Sequence, residues 1–458
     1  MSDTTSGTRL LSPRWTVGLL ALSLIAFGFA RGDDKSVLPA PATVSEETGP
    51  KYDLDQLRAT ALANNPSIAA AKASLASAIA GQQGVENIRV PTFLQPDLPF
   101  RRKQACLGVE AAEAGVRQAE LHTVFGVQFA YVSYLFAIEQ EQLVKEVLDE
   151  KKNANLTSFH KSVVKVTSKG SKVDTDLKER DALFLDGVLS YARSKLTEAE
   201  TGKRRALSAL REAVGVASDV PLPLKHQRLL DVKRAVDLRQ LSDLALSNRP
   251  ELLAASINVQ VSELEVKAQG SRHSLSVKTF ASGGDLHANP LPAGRYEQEY
   301  RPGPIGPEMP TFLSGKKCDR VARATALASR AVSVSDKARA LILLEVEQAF
   351  HRYEEATAKI AHLSQAAEKL KVAVNGTEDK EDVKGIQGAS KRLIDTKFEE
   401  GAKIALDDSL KFGQVYSQVR VQLNEARYQQ LIALITLERA TGAAFRADLC
   451  GAPEIKEE

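Results

Sequence analysis

Aromatic residues are scarce in this sequence, 5% of 458 residues with a single Trp. A chain that is mostly transmembrane β-barrel carries aromatic girdles at both membrane interfaces, so this scarcity argues against one. Neither sign of charge is in excess: 61 Lys and Arg face 58 Asp and Glu, and a formal charge of +3 over this length does not predict nucleic-acid binding. Cysteine is sparse, with three residues, and the seven His (122, 160, 226, 273, 287, 351 and 362) show no metal-ligand spacing. No phosphate-binding loop, nucleophile elbow or zinc-protease motif is present. The sequence therefore offers no catalytic constellation and no site for a metal or cofactor. Beyond the first thirty residues no run of 18 apolar residues is visible, so no transmembrane helix is expected there.

Ala, Leu, Val, Glu, Gln, Lys and Arg are abundant, and 43% of the chain is hydrophobic, which predicts a sizeable core dominated by helix. The first thirty residues read as an export signal: Arg9 and Arg14 precede the apolar run Trp15 to Phe29, and the small residues Gly28 and Ala30 sit where a signal peptidase would cut. The alternative is a membrane anchor, but about 15 apolar residues fall short of the roughly 20 that span a bilayer as a helix. Residues 31–51 are polar and contain Pro, and read as a disordered lead-in.

The chain repeats itself. Asp53 to Lys72 aligns without gaps to Asp237 to Ser256, with ten of twenty positions identical, among them Leu57/Leu241, Asn64/Asn248 and Pro66/Pro250. Further on, the Pro-Thr-Phe-Leu element at 91–94 returns at 310–313, and Val127, Ala130 and Tyr134 return at the same offset as Val346, Ala349 and Tyr353. Glu198 to Gly215 matches Glu425 to Gly442 at seven of eighteen positions. Two copies of one unit, residues 52–236 and 237–447, make up the body of the chain, followed by a tail at 448–458.

Each copy is helical in pattern. Asn64-Asn65-Pro66 and Asn248-Arg249-Pro250 place Asn beside a Pro at a first helical turn. Long helices are expected from about Leu107 to Val164 and from about Lys317 to Val374, with returning helices over about Val173–Val214 and Leu393–Thr441. In the last of these, Phe412, Val415, Val419, Leu423, Ala426, Ala433, Leu437 and Ala440 keep spacings of three or four once Gln430 is included, the seam of a coiled coil. A generic helical bundle with one apolar face fits the same periodicity.

The duplicated Asn-x-Pro entry, the closing Leu-Glu-Arg-Ala-Thr-Gly at 437–442 and a Gly-x5-Asp element in each copy, Gly170 to Asp176 and Gly401 to Asp407, occur in register behind an export signal. Together they make residues 52–447 resemble the TolC-like outer-membrane efflux channels. The resemblance implies a mainly α fold in which two-repeat long helical hairpins form a coiled-coil tunnel, with a small β segment of reduced or irregular barrel strands. It implies a homotrimer in the outer membrane, in contact with its lipid, with most of its mass in the periplasm. Its partners would be a periplasmic adaptor protein and an inner-membrane pump. By position, Gly170 and Gly401 would mark adaptor docking, where a residue without Cβ admits close approach; a turn or kink glycine is the plainer alternative. Asp176, Lys403 and Asp407 would line the channel mouth, with Phe398 where an aromatic hydroxyl is usual and Leu410 where a second acidic ring is usual; solvated surface charge is the alternative there.

Barrel strands fit poorly. A membrane strand needs about 9–11 residues, yet copy one offers only a short hairpin at 85–102, broken by Pro91, Pro96 and Pro99. Copy two offers the strand or loop region 274–315, where only Ser274 to Phe280 alternates. Cys106 and Cys318 follow the Pro-Thr-Phe-Leu elements of their copies, which the repeat brings to one end of the molecule, as a disulfide or as two buried thiols. The function expected is a non-enzymatic outer-membrane channel that passes small molecules from an inner-membrane pump. The alternative is a periplasmic coiled-coil scaffold or interaction protein without a membrane pore.

Overall fold

The computed structural model describes residues 51–148, 175–272, 313, 315–375 and 398–449. At the outer ends of the four longest helices it describes mainly the backbone. The export signal, nearly all of the lead-in, Gly170, residues 274–312 and the tail beyond Leu449 lie outside the described residues.

Copy one contains α1 (Leu54–Asn64), α2 (Pro66–Glu86), α3 (Leu98–Leu148) and α4 (Thr175–Val214). Copy two repeats the order with α5 (Leu238–Asn248), α6 (Pro250–Ser271), α7 (Lys317–Asn375) and α8 (Phe398–Ala440). Among the described residues there is no strand; an isolated parallel bridge joins Tyr52 to Leu224, with Tyr52 N–H donating to Pro223 O at 2.8 Å and Lys225 N–H to Tyr52 O at 2.9 Å.

The helix starts follow from their caps. Asp53 accepts from Gln56 N–H while the Gln56 side chain accepts from Asp53 N–H, a reciprocal capping box that opens α1. Asn65 ends α1 in an extended conformation and caps α2 by accepting from Ser67 N–H at 2.8 Å, with Pro66 in the first turn. The chain thus bends at Asn65 and starts a second helix at once. Asp237 and the pair Arg249-Pro250 open α5 and α6 the same way, but Arg249 makes no side-chain cap.

In each copy the long helix packs against two shorter helices: α3 against α2 and α4, α7 against α6 and α8. At roughly 1.5 Å per residue, the 51 residues of α3 and the 59 of α7 extend for about 75 and 90 Å. The main core lies at the level of the Asn-x-Pro elbows, where Leu57, Ala61, Val127, Tyr131, Leu135, Leu210, Leu434 and Ile435 are buried together. Leu222, Leu224, Leu229 and Leu230 of the segment that links the copies fill the same core. Repeat partners bury alike: Leu57 and Leu241, Ala61 and Ala245, Val127 and Val346, and Ala130 and Ala349.

Several expectations change. Residues 85–102 hold no strand hairpin: α2 runs to Glu86, a turn follows Pro91, and α3 begins at Leu98, nine residues before the expected start. The eleven residues 87–97, which include Pro91 and Pro96, are too few and too poor in ladder donors for two paired strands. The predicted apolar seam of α8 is buried from Leu423 to Ala440, whereas Val415 is exposed. The stretch 98–146 of α3 is long and apolar enough to cross a membrane, but it packs against α1, α2, α4, α6 and α8, as a core helix does. Ala447 and Leu449 are core residues, so the body of the protein extends past the expected boundary at 447.

Candidate functional site

Each elbow is locked by a glycine. Gly215 and Gly442 end α4 and α8 with φ of +77° and +65°, a region that costs any residue with a Cβ. Gly215 N–H donates to Glu212 O and Val216 N–H to Arg211 O; Gly442 and Ala443 do the same to Arg439 O and Glu438 O. These are the paired bonds of a Schellman cap. A Cβ on Gly215 would stand 2.9 Å from Asn64 O, and one on Gly442 2.6 Å from Asn248 O. The helix ends are therefore seated on the backbone of the opposite elbow. Asn65 Nδ2 donates to Ala213 O at 2.9 Å, and Arg249 Nη1 to Arg439 O at 3.2 Å, so each elbow also donates to a carbonyl in the last turn of the returning helix.

Buried polar groups then join copy one to copy two along α3. At the end of the body beside residues 87–97, Arg101 pairs with Glu265 on α6 and with Asp97, and Gln104 Nε2 donates to Val261 O and to Glu265, each at 3.0 Å. Gln269 donates to Glu265 at 2.7 Å and accepts from Arg320 Nε at 3.0 Å, which brings α7 into the network. Burial alone would raise the Glu265 carboxyl, but the hydrogen bond and charge of Arg101, with Gln104 and Gln269, hold it below the ordinary carboxylate range.

Near the elbow of copy two, Glu345 on α7 accepts from Arg249 at 3.0 Å and from Arg439 at 2.6 Å. Arg439 lies 4.0 Å from the centre of the Phe125 ring on α3. Burial would lower the Arg249 pKa, and the charges of Glu345 and Glu251 raise it instead. Gln128 Nε2 donates to Glu438 at 3.0 Å, and Glu438 also accepts from Arg58 at 3.0 Å and from Ala447 N–H at 3.1 Å. Towards the outer end, Arg420 donates to Glu146 at 2.6 Å, and Phe136 stacks on Tyr428 with ring centres 4.6 Å apart. Arg249, Glu438 and Arg439 lie in motifs read from the sequence, whereas Arg101, Gln104, Gln128, Glu265 and Glu345 do not. One signal was available: Arg101 and Arg320 occupy the same place in the two copies.

The opposite flank of the molecule is open. The positions of α7 that correspond to Gln104, Ala111, Gln118 and Gln128 of α3 are Arg323, Arg330, Lys337 and Glu347, all exposed. On α2, the counterparts of Glu251, Val261 and Glu265 are Ser67, Ser77 and Gly81, also exposed. Among the described residues α3 packs on α6 and α8, whereas α7 makes no comparable packing on α2 or α4.

The residues expected at the mouth sit at the starts of the returning helices. Asp176 is the second residue of α4, while Phe398 opens α8 and Gly401, Lys403 and Asp407 fall within its first three turns. Only their backbone is described, so the structure gives no contact among them. Gly170 lies outside the described residues. Cys106 and Cys318 come to the same end of the body, on α3 and at the start of α7, but both are free and exposed, neither bridged nor buried. Helix α6 lies against both α3 and α7, and the neighbouring residues that face inwards are Gln104 and Arg320, held through Glu265 and Gln269. Among the described residues no group of three His, Cys, Asp or Glu is placed to hold a metal.

No protein-family profile matches the chain, and no characterised protein matches it by sequence. Solved structures do match. The outer-membrane channel OprN superposes with a TM-score of 0.60 at 16% identity, over 86% of this chain and 90% of that one. CusC, whose structures concern folding and transmembrane channel formation, gives 0.57 at 14% identity over 92% of this chain and 100% of its own.

The chain has the TolC-like fold.

The outer membrane protein VceC of Vibrio cholerae agrees, with a TM-score of 0.57 at 14% identity over 86% of this chain and 97% of that one. In this TolC-like chain the two Asn-x-Pro elbows and their glycine seats are the joints between long and short helices. The polar groups along α3 fix the two copies side by side.

Proposed function

We propose that the chain is the outer-membrane channel of a multipart export system and closes into a homotrimeric tunnel in the periplasm. The observation that carries this reading is the inequality of the two long helices. Helix α3 has copy two on its flank, whereas the same flank of α7 is exposed along its length, as is the matching face of α2. A surface on one edge that repeats the geometry of a filled interface on the other is what a head-to-tail ring leaves on each subunit. Two repeats per chain give such a ring six similar positions in three subunits. The likeness in fold to OprN, CusC and VceC supports the same arrangement.

The outer ends of α4 and α8 would form the periplasmic mouth, with Asp176, Lys403 and Asp407 around the axis and Phe398 beside them. Carboxylates there would favour cations over anions. Gly170 and Gly401 would mark grooves for the helical hairpin of an adaptor protein, which couples the passive tunnel to an inner-membrane pump. The pump would choose the small molecules carried. Support for these assignments is positional: the Gly-x5-Asp elements recur in register, and Asp176, Lys403 and Asp407 fall in α4 and α8.

Crosslinking between α7 of one subunit and α2 of the next tests the assembly. A Lys337→Cys, Ser67→Cys pair should give a ladder that ends at three subunits, and monomer alone would overturn the ring. A second reading, a periplasmic scaffold without a pore, is favoured by one observation: residues 87–97 hold no strand. Cell fractionation separates the two, because a channel leaves the soluble fraction with the outer membrane and a scaffold need not.

A further inference from the structure

The Pro-Thr-Phe-Leu element has opposite fates in the two copies. Leu313 is 2% exposed, packed into a cluster with Ile257 and Val261 of α6, Ala324 of α7 and Leu107 of α3. Its counterpart Leu94 is 64% exposed and the adjacent Phe93 80% exposed, two large apolar side chains next to each other at the surface. Ring closure does not supply the missing socket. The counterparts of Ile257, Val261, Val266 and Leu327 in copy one are Ala73, Ser77, Gln82 and Gly108, small or polar residues that cannot seat a Leu or a Phe.

The loop that carries the pair is braced. Leu94 N–H and Gln95 N–H both donate to Pro91 O, at 3.0 and 3.2 Å. Arg102 reaches back from α3 to Ile88 O at 3.0 Å, and Asp97 is held by Arg101 and by Arg272. The loop therefore stands beside Arg272, which caps the end of α6. Arg89, Arg102 and Lys103 are exposed around it; the nearby acids are exposed Glu86 and buried Asp97.

We propose that Phe93 and Leu94 form a wedge that enters the surface of a phospholipid bilayer with anionic headgroups. The two side chains sit among the acyl chains, and Arg89 and Lys103 lie at the phosphates. Amphipathic segments bind interfaces by this combination of apolar area and cationic flank. The proposal replaces, for copy one, a strand hairpin that the eleven residues 87–97 cannot build, with a contact that goes in without crossing. It takes from the channel reading only which membrane is met, so vesicle insertion can be observed whether or not the protein conducts.

The test uses the full chain with Trp15→Phe and Phe93→Trp, which leaves one indole, at an exposed position. The protein is mixed with vesicles of phosphatidylethanolamine and phosphatidylglycerol, with and without lipid brominated on the acyl chains. Insertion gives blue-shifted emission that brominated lipid quenches at least twofold. Adding Arg89→Gln and Lys103→Gln should raise the phosphatidylglycerol needed for half-maximal quenching by about fivefold per cation, with helicity unchanged. Blue-shifted emission without bromine quenching would mean that another copy of the chain, or residues 273–312, covers the pair, and would overturn the wedge. Emission that stays at the exposed wavelength would overturn it as well.

Discussion

Helices α3 and α7 descend from one repeat and keep the same inward face, yet their outer flanks differ throughout. Val127 and Ala130 of α3, and Val346 and Ala349 of α7, are all buried. On the flank, α3 carries Gln104, Gln118 and Gln128, each donating to a group of copy two, where α7 carries exposed Arg323, Lys337 and Glu347. Glutamine suits a buried flank because it meets carboxylates and carbonyls without bringing an uncompensated charge. Charged side chains keep the other flank hydrated. The repeat thus encodes one packing solution on the inside and two on the outside.

Breaking the buried side should cost most. Glu265→Ala leaves Arg101 without its main partner in the interior, a change expected to cost about 3–5 kcal/mol, read as a lower urea midpoint. The matching change on the open side, Gly81→Ala on exposed α2, should raise that midpoint by about 0.5–1 kcal/mol, because alanine favours the helix and meets no neighbour there. Equal losses from the two would show that the flanks are not different in kind.

Next come the joints. Gly442→Ala puts a Cβ on backbone that it cannot displace and forces a positive φ, which should cost about 1–3 kcal/mol. Gly215→Ala should cost slightly less, since its contact with Asn64 O is 2.9 Å against 2.6 Å for Gly442 with Asn248 O. Thermal melts of the pair rank them.

Acid should weaken the buried side selectively. Because the folded Glu265 carboxyl is held below its ordinary value, its contribution is fully present above the unfolded range, about 4.3, and is lost as pH falls through the lower folded value. The unfolding free energy of the parent should therefore decline from about pH 5 downwards more steeply than that of Glu265→Gln, measured by urea titration at each pH.

The smallest effects belong to the open flank and the mouth. Lys337→Glu should leave subunit stability within about 0.5 kcal/mol while reducing crosslinked trimer. Lys403→Ala should raise open probability in bilayer recordings by no more than an exposed ion pair permits, about 1 kcal/mol. Recordings identical to the parent would return Lys403 to solvated surface.

The helical body was legible because its signals are local. Pro66 and Pro250 mark the elbows through ring geometry, Asn65 adding a side-chain cap, and α7 starts at Lys317 as its pattern predicts. The early start of α3 was missed because prolines at 96 and 99 read as loop, although Pro99 is tolerated where the helix has no hydrogen bond to lose. Cys106 and Cys318 were placed at the correct end, but their direction depends on how α6 lies against α3 and α7.

By itself the sequence determined the duplication, the elbows and the inward seam, since each rests on residues near in the chain or on a fixed helical period. Only the tertiary structure decided which flank of each long helix is filled, that Arg101 meets Glu265 across 164 residues, and that Leu313 is buried while Leu94 is not. Those outcomes depend on which element is brought alongside, and a repeat presents the same pattern to both partners until packing chooses between them.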